Sequence, residues 1–116
     1  MKFLCLAYGD AKDWKALSEE EQDELLKQDE ALRKRGSLMA AVQTTVVTVR
    51  AWDGKPNVTD SAFADSNVPL AGFSIIDAAS VNDVIRLVAG TPCARAKGAI
   101  EIRPIMAIND AVLSPQ

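Results

Sequence analysis

The 116-residue sequence contains no histidine, so the most common general base at neutral pH is missing. This absence excludes the Ser-His-Asp and Cys-His arrangements that activate a nucleophile. The two cysteines, Cys5 and Cys93, are too few and too distant in sequence for a zinc or other transition-metal site. We therefore predict no metal and no cofactor. The remaining possibilities are carboxylate chemistry and plain binding.

Other signatures are also absent. The formal net charge is −3 and no basic stripe is present, so a nucleic-acid partner lacks its electrostatic footprint. Gly9 and Gly36 do not have the spacing of a phosphate-binding loop. The apolar run at residues 3–8 is shorter than a signal peptide requires and far below the roughly 20 residues of a membrane span. We predict a cytoplasmic protein with no membrane or nucleic-acid partner.

Strands are predicted where apolar and β-branched residues run together. Residues 2–8 are almost continuously apolar, which is typical of a central strand. Residues 45–52 are mostly β-branched or aromatic, and the Asp53-Gly54 pair that follows predicts a hairpin turn with a returning arm at 55–59. Further strands are predicted over residues 38–42, 70–77 and 99–105.

Two helices are predicted from their end signals. The first begins at Ser18, which forms a capping box with Glu21, and ends at Gly36. The second begins at Ser80, with Asp83 as the partner in its capping box. Apolar residues recur at helical spacing in the second helix and predict a buried face formed by Val81, Val84, Ile85 and Val88.

These elements follow the order β-α-β-β-β-α-β within one domain, residues 1–108, with loops at 9–17 and 60–69 and a C-terminal tail at 109–116. The order predicts an α+β, ferredoxin-like fold: an antiparallel sheet with two helices on one face and an extra β-hairpin. The other face of the sheet keeps apolar residues that need cover. We predict that a second copy of the chain covers it in a homodimer.

An ordered set of short motifs spans nearly the whole chain, and together they resemble the YCII-related family, specifically its DGPF-domain branch. The motifs are residues 3–10 (FLCLAYGD), 53–56 (DGKP), 58–60 (VTD), 70–73 (LAGF), 76–77 (ID) and 100–105 (IEIRPI). The resemblance implies a ferredoxin-like fold and a dimeric α+β barrel in which two sheets face each other. It implies much less about function, because the DGPF branch has no established activity.

The chain departs from the family pattern at two places. Ser61 and Ala62 replace the Gly and Pro of the DGPF motif. The YCII-type members have a His–Asp pair suggested as catalytic, whereas this chain has no histidine and carries Thr91 where the aspartate is expected, ahead of Pro92. Both halves of the pair are missing, so the resemblance does not carry that activity to this chain.

Asp60 is the single candidate for a catalytic residue. In a buried cleft its carboxylate would act as a general acid or base, and on an exposed loop it would instead bond nearby backbone N–H groups. Tyr8 ends the first strand, where its hydroxyl reaches a pocket mouth or lies in the core.

The remaining candidate ligand-binding residues are two arginines and two aromatics. Arg50 and Arg103 would meet an anionic ligand, or else pair with a carboxylate such as Glu101. Trp52 and Phe63 would line an apolar pocket or fill the core of a dimer interface.

Three functions fit these residues. The favoured one is a dimer that binds a small molecule in a cleft near the dimer interface without strong catalysis. The alternatives are a lactone-isomerase-like enzyme with a carboxylate acid/base, inferred from fold analogy, and an interaction module whose role is assembly alone.

Overall fold

A four-stranded antiparallel sheet forms the frame of the molecule, in the order β2-β5-β1-β6. The structure is a computed structural model that describes residues 1–64 and 66–109. The strands are β1 (Lys2–Tyr8), β2 (Leu38–Ala41), β3 (Thr48–Arg50), β4 (Asn57–Thr59), β5 (Leu70–Asp77) and β6 (Ala99–Pro104). The helices are α1 (Ala11–Lys15), α2 (Glu19–Lys34), α3 (Val81–Val88) and α4 (Pro92–Arg95). This topology is ferredoxin-like, as predicted.

The register of the sheet sorts its side chains into two faces. Residues that alternate along β1 and β5 are buried, among them Phe3, Cys5, Ser74 and Ile76, because the helices lie on that side. The residues between them along each strand point to the opposite face of the sheet, which we call the open face. Their side chains remain partly exposed. The apolar members of the open face are Leu4, Leu6, Leu38, Ala40, Phe73 and Ile75.

Helix α2 begins and ends as its sequence predicts. The Ser18 hydroxyl accepts a hydrogen bond from the Glu21 backbone N–H at 3.0 Å, and the Glu21 carboxylate accepts one from the Ser18 N–H at 3.0 Å. At the other end, Gly36 has φ +88°, a left-handed conformation that glycine adopts without steric cost. Leu25 and Leu32 turn toward the sheet and are buried.

Helix α3 corrects two details of the prediction. The Ser80 hydroxyl accepts from the Asp83 N–H at 3.3 Å, but the Asp83 carboxylate pairs with Arg86. The capping box that the sequence predicts is therefore only half formed. Val84 and Val88 are buried, whereas the predicted core residues Val81 and Ile85 are exposed. A helix of eight residues lying on the rim of the sheet buries only the one row of side chains that points inward.

Two short helices lie where none was predicted. Residues 9–17 contain α1, which starts because the Asp10 carboxylate accepts a hydrogen bond from the Lys12 N–H at 3.1 Å. Pro92 occupies the first turn of α4, where its fixed φ suits a helix and its missing N–H is not needed.

A hairpin projects from the frame as a separate two-stranded sheet, in which Thr48 lies opposite Thr59 and Arg50 opposite Asn57. The predicted strand over residues 45–52 is therefore reduced to β3. We call residues 43–64 the hairpin arm. The radius of gyration is 16.0 Å, against about 13 Å for a compact chain of this length, which reflects this extended shape.

The core lies between the sheet and the helices, and its largest fully buried side chains are Phe3, Cys5, Ile76 and Val84. The predicted domain boundary at residue 108 stays a prediction, since the structure describes only Asn109 of the tail. Within residues 1–64 and 66–109, no helix is long and apolar enough to span a membrane.

Candidate functional site

An open cavity of about 250 Å³ lies between the sheet and the helices, and we call it the sheet–helix cavity. The helix side contributes residues of α2, α3 and α4, and the sheet side contributes residues of β1, β2, β5 and β6. Apolar side chains make up most of the wall. The polar side chains in it are Asp29, Arg33, Ser74 and Thr91, together with the thiols of Cys5 and Cys93.

Asp29 is the acidic residue of the cavity, and helix periodicity puts it there. It lies four residues after Leu25 and three before Leu32, both of which are buried, so it shares their side of α2. Burial raises the pKa of the Asp29 carboxyl, and the Arg33 guanidinium one turn later opposes this pKa shift with a smaller effect. Arg33 also pairs with Glu30 at the outer surface of the helix.

The two thiols of the cavity are held in their neutral form. Burial raises the pKa of Cys93, and the negative charge of Asp29 raises it further. Burial also raises the pKa of Cys5, with a smaller opposing effect from a hydrogen bond with Ser74. Because the thiolate is the reactive form, neither cysteine is activated as a nucleophile at neutral pH.

Thr91 lies where the resemblance described above implies an aspartate in YCII-type members. Its side chain is buried, and its hydroxyl donates to the Val88 carbonyl at 2.6 Å. The hydroxyl proton is therefore used in a hydrogen bond to the last residue of α3. The oxygen keeps a lone pair as an acceptor, but it cannot replace a carboxylate as a base.

Two glycines affect the cavity because they have no side chain. A Cβ at Gly9 would lie 3.0 Å from the Cys93 Sγ, so the Cys93 thiol occupies the space that a side chain at position 9 would need. A Cβ at Gly72 would collide with the Ala40 carbonyl oxygen across the β2–β5 pair. Gly72 lines the cavity directly, whereas Gly9 acts on it through its contact with Cys93, and glycine at both positions permits a close approach of neighbouring atoms.

The structure brings together only two of the six residues predicted to bind a ligand. The Arg50 guanidinium lies over the Phe63 ring, 5.2 Å from its centroid. Trp52 and Asp60 are exposed on the same hairpin arm, and Trp52 has 90% of its surface accessible.

The other two predicted residues lie on the frame, away from the hairpin arm. Tyr8 is partly buried at the end of β1. Arg103 of β6 donates to Glu101 two residues earlier in the same strand, Nε to Oε1 at 2.8 Å, so it does pair with that carboxylate but within one strand, where a cross-strand pair was predicted. Among the described residues, none of the six predicted candidates lines the sheet–helix cavity.

Asp29 and Cys93 were missed as site residues by sequence reasoning. A signal existed for Asp29, because its carboxylate falls between Leu25 and Leu32 in the narrow apolar stripe of α2. For Cys93 no comparable signal is present, since its neighbours in the cavity come from distant parts of the chain. Within the described part of the chain, no group of three or more Cys, Asp or Glu side chains is arranged to hold a metal.

Comparison with known proteins settles the family. The family model for the YCII-related domain matches residues 1–109. The chain belongs to the YCII-related family. A relative from Rhizobium meliloti (strain 1021), "Uncharacterized protein R00369", is 28% identical over 114 residues, which cover 90% of this chain and 92% of the relative.

A solved structure is also similar to this YCII-related chain. It is 5-chloro-2-hydroxyhydroquinone dehydrochlorinase (TftG) from Burkholderia phenoliruptrix AC1100, in complex with 2,5-dihydroxybenzoquinone. The TM-score is 0.46 and the sequence identity 18%, over 90% of this chain and 93% of the other.

Proposed function

We propose that this YCII-related protein is a homodimer that binds a small molecule in the sheet–helix cavity and performs no strong catalysis. One observation carries the proposal: an open, mostly apolar cavity of about 250 Å³ contains a few convergent polar groups, with Asp29 foremost. A concave apolar site with a small number of placed polar groups is typical of ligand pockets. The volume lies just below the range of about 300–1,000 Å³ that is usual for ligand pockets, so it favours a small ligand.

The same cavity argues for binding over strong catalysis. Both of its thiols are protonated at neutral pH, and the Thr91 hydroxyl donates to the backbone. Asp29 supports the alternative of an isomerase-like enzyme, because a carboxyl whose pKa is raised by burial suits acid/base chemistry. Asp60 remains the second carboxylate candidate for that alternative. The assembly-only alternative predicts a filled structure, so the cavity disfavours it.

The open face supports the dimer. Its apolar side chains on β1, β2 and β5 form one surface opposite the helices, and a second copy would hide it from water. Ala40 and Phe73 belong to this face and also line the cavity. The ligand would therefore lie near the dimer interface.

Two further assignments belong to the proposal. We assign the chain to the DGPF-domain branch, on the motifs quoted above. We also assign the protein to the cytoplasm, which is supported by two cysteines that are both unpaired thiols.

Native mass spectrometry of the purified protein tests ligand binding. We expect a retained small molecule on the wild-type chain and its loss from Ala41→Phe, which fills the cavity from an exposed strand position. Ala31→Phe, at an exposed position of α2 outside the cavity wall, is the matched control and should keep the ligand. Equal retention by the two variants would contradict the proposed site.

Sedimentation equilibrium tests the dimer. The wild-type chain should sediment at twice its 12.5 kDa mass, and Ile75→Glu on the open face should sediment as a monomer. Ile85→Glu, at an exposed position on α3, should remain a dimer. A wild-type protein that stays monomeric at millimolar concentration would rule out the homodimer.

A further inference from the structure

A second open cavity, of about 370 Å³, adjoins the sheet–helix cavity, and we call it the Trp14 cavity. It lies beneath α1, and its walls come from that helix, the start of β5, the residues after β2, and α4. The lining residues include Ala11, Trp14, Val42, Leu70 and Ala96. Most of this surface is apolar, and Trp14 is partly buried against it.

The two cavities share three residues, Ala71, Pro92 and Cys93. Cys93 is half-buried between them, and its side chain fits against Gly9 as described above. The shared wall contains no charged side chain, because Ala71 and Pro92 are apolar and the Cys93 thiol is neutral. The two cavities therefore lie side by side, and an apolar chain that extended across their common boundary would meet no charged side chain there.

Polar groups are unevenly divided between the two cavities. The sheet–helix cavity contains Asp29, Arg33, Ser74 and Thr91. In the Trp14 cavity the one carboxylate, Asp10, is used to cap α1 through the Lys12 N–H. The pair of cavities therefore has a polar end at α2 and an apolar end at Trp14.

We propose that the two cavities form one binding site for a neutral amphiphile, with a hydroxyl head donating to Asp29 and an unbranched apolar tail reaching past Cys93 to Trp14. The inference rests on the proposed function, since the head occupies the sheet–helix cavity. Arg33 pairs with Glu30 at the outer surface, which disfavours an anionic head, and a hydroxyl can donate to an Asp29 oxygen whether that carboxyl is charged or neutral. The Ser74 and Thr91 oxygens lie in the same wall and can accept hydrogen bonds.

A series of primary alcohols from 1-butanol to 1-nonanol tests this site. The chain has two tryptophans, Trp14 and Trp52, so Trp52→Phe leaves Trp14 as the reporter. We expect the dissociation constant to fall by about fourfold per added methylene as the tail leaves water. Trp14 emission should shift to the blue only with the longer alcohols, whose tails pass Cys93.

Matched variants in the Trp52→Phe background locate the tail. Ala11→Phe, at an exposed position in the wall of the Trp14 cavity, should leave the affinity for 1-butanol unchanged and abolish the increase in affinity with chain length for the longer alcohols. Ala16→Phe, exposed at the other end of α1 and outside both walls, should behave like its parent. Asp29→Asn should raise the dissociation constant of every alcohol by about fivefold and leave the dependence of affinity on chain length unchanged.

The outcomes separate this inference from the proposed function. Suppose that short alcohols bind and that Asp29→Asn weakens their binding. If affinity then does not rise with chain length, or rises equally in Ala11→Phe, the two-cavity site is overturned while the sheet–helix cavity still stands as a binding site. If no alcohol binds, the amphiphile class is wrong, and retention of another molecule in the mass-spectrometry test would still support the proposed function.

Discussion

The hairpin arm and the frame use the same kinds of residue with opposite results. Ile76 in β5 of the frame is fully buried, whereas Val49 on the arm is 60% exposed and Phe63 is 74% exposed. β-branched and aromatic residues favour extended backbone in both regions. Burial depends on a second layer, and only the frame has helices packed on its sheet.

The contrast also separates the predicted ligand residues from the cavity. Arg50, Trp52, Asp60 and Phe63 lie on the hairpin arm, while the cavity with its buried carboxyl lies in the frame. An exposed aromatic can still contact a partner, and a second copy of the chain is the partner that the open face also suggests. Contact with a partner at the arm and ligand binding in the cavity can therefore be tested separately.

The largest expected effect compares one substitution in the two regions. Val84→Ala should lower the free energy of unfolding by about 2–3 kcal/mol, because it empties space in the core. Val49→Ala on the arm should change it by less than about 0.5 kcal/mol. Urea unfolding of both variants measures the difference, and equal losses would show that the arm is packed in solution.

The next effect concerns the close approach of β2 to β5. Gly72→Ala should destabilise the protein by about 2 kcal/mol, because its methyl group meets the rigid Ala40 carbonyl. Gly90→Ala is the matched control: its methyl group would meet only the flexible Gln28 side chain, so little change is expected. A tolerated Gly72→Ala, measured by thermal unfolding, would mean that the edge strand β2 is looser than described.

A smaller effect is expected at the start of α2. Ser18→Ala removes the hydroxyl that accepts from the Glu21 N–H, but keeps the backbone N–H that donates to the Glu21 carboxylate, and should cost about 1 kcal/mol in urea unfolding. Ser61→Ala, at an exposed position of the arm, should be neutral. A neutral Ser18→Ala would indicate that water replaces the cap without loss.

The smallest effect is the pH dependence of stability through Asp29. Its pKa is raised in the folded state, so the folded protein binds more protons than the unfolded chain, and stability falls as pH rises through that range. Asp29→Asn should therefore unfold at slightly higher temperature than wild type at pH 7, and the two melting temperatures should converge near pH 3. Asp60→Asn on the arm is the control. A destabilised Asp29→Asn at pH 7 would show that the folded protein favours the charged carboxyl.

Local signals were sufficient to predict much of the fold. The Ser18–Glu21 capping box, Gly36 and the alternating strand at residues 70–77 predicted their elements, and the order of elements predicted the sheet topology. The exposure of Val81 and Ile85 was not predictable from helical spacing, since that pattern does not reveal how much of α3 the sheet covers.

The cavity was beyond sequence reasoning for a physical reason. Asp29, Ser74 and Cys93 come from α2, β5 and α4, and they meet only when helix phase and strand register are both known. Sequence reasoning placed Trp52 and Phe63 either in an apolar pocket or in the core of a dimer interface, where aromatics are enriched. Their exposure on the arm depends on a tertiary arrangement that local patterns do not contain.

The backbone hydrogen bond from Val42 N–H to the Ala71 carbonyl, 2.9 Å long, shows that the chain leaves the frame and returns to it at almost the same point. Residues 45–64 of the segment between Val42 and Ala71 line neither cavity, so they can be shortened to a turn, or exchanged for an unrelated insert, while β2 and β5 keep their pairing. Since the entropic cost of closing a loop changes slowly with its length, such grafts should cost little. This site is the natural place to attach a tag or a reporter domain.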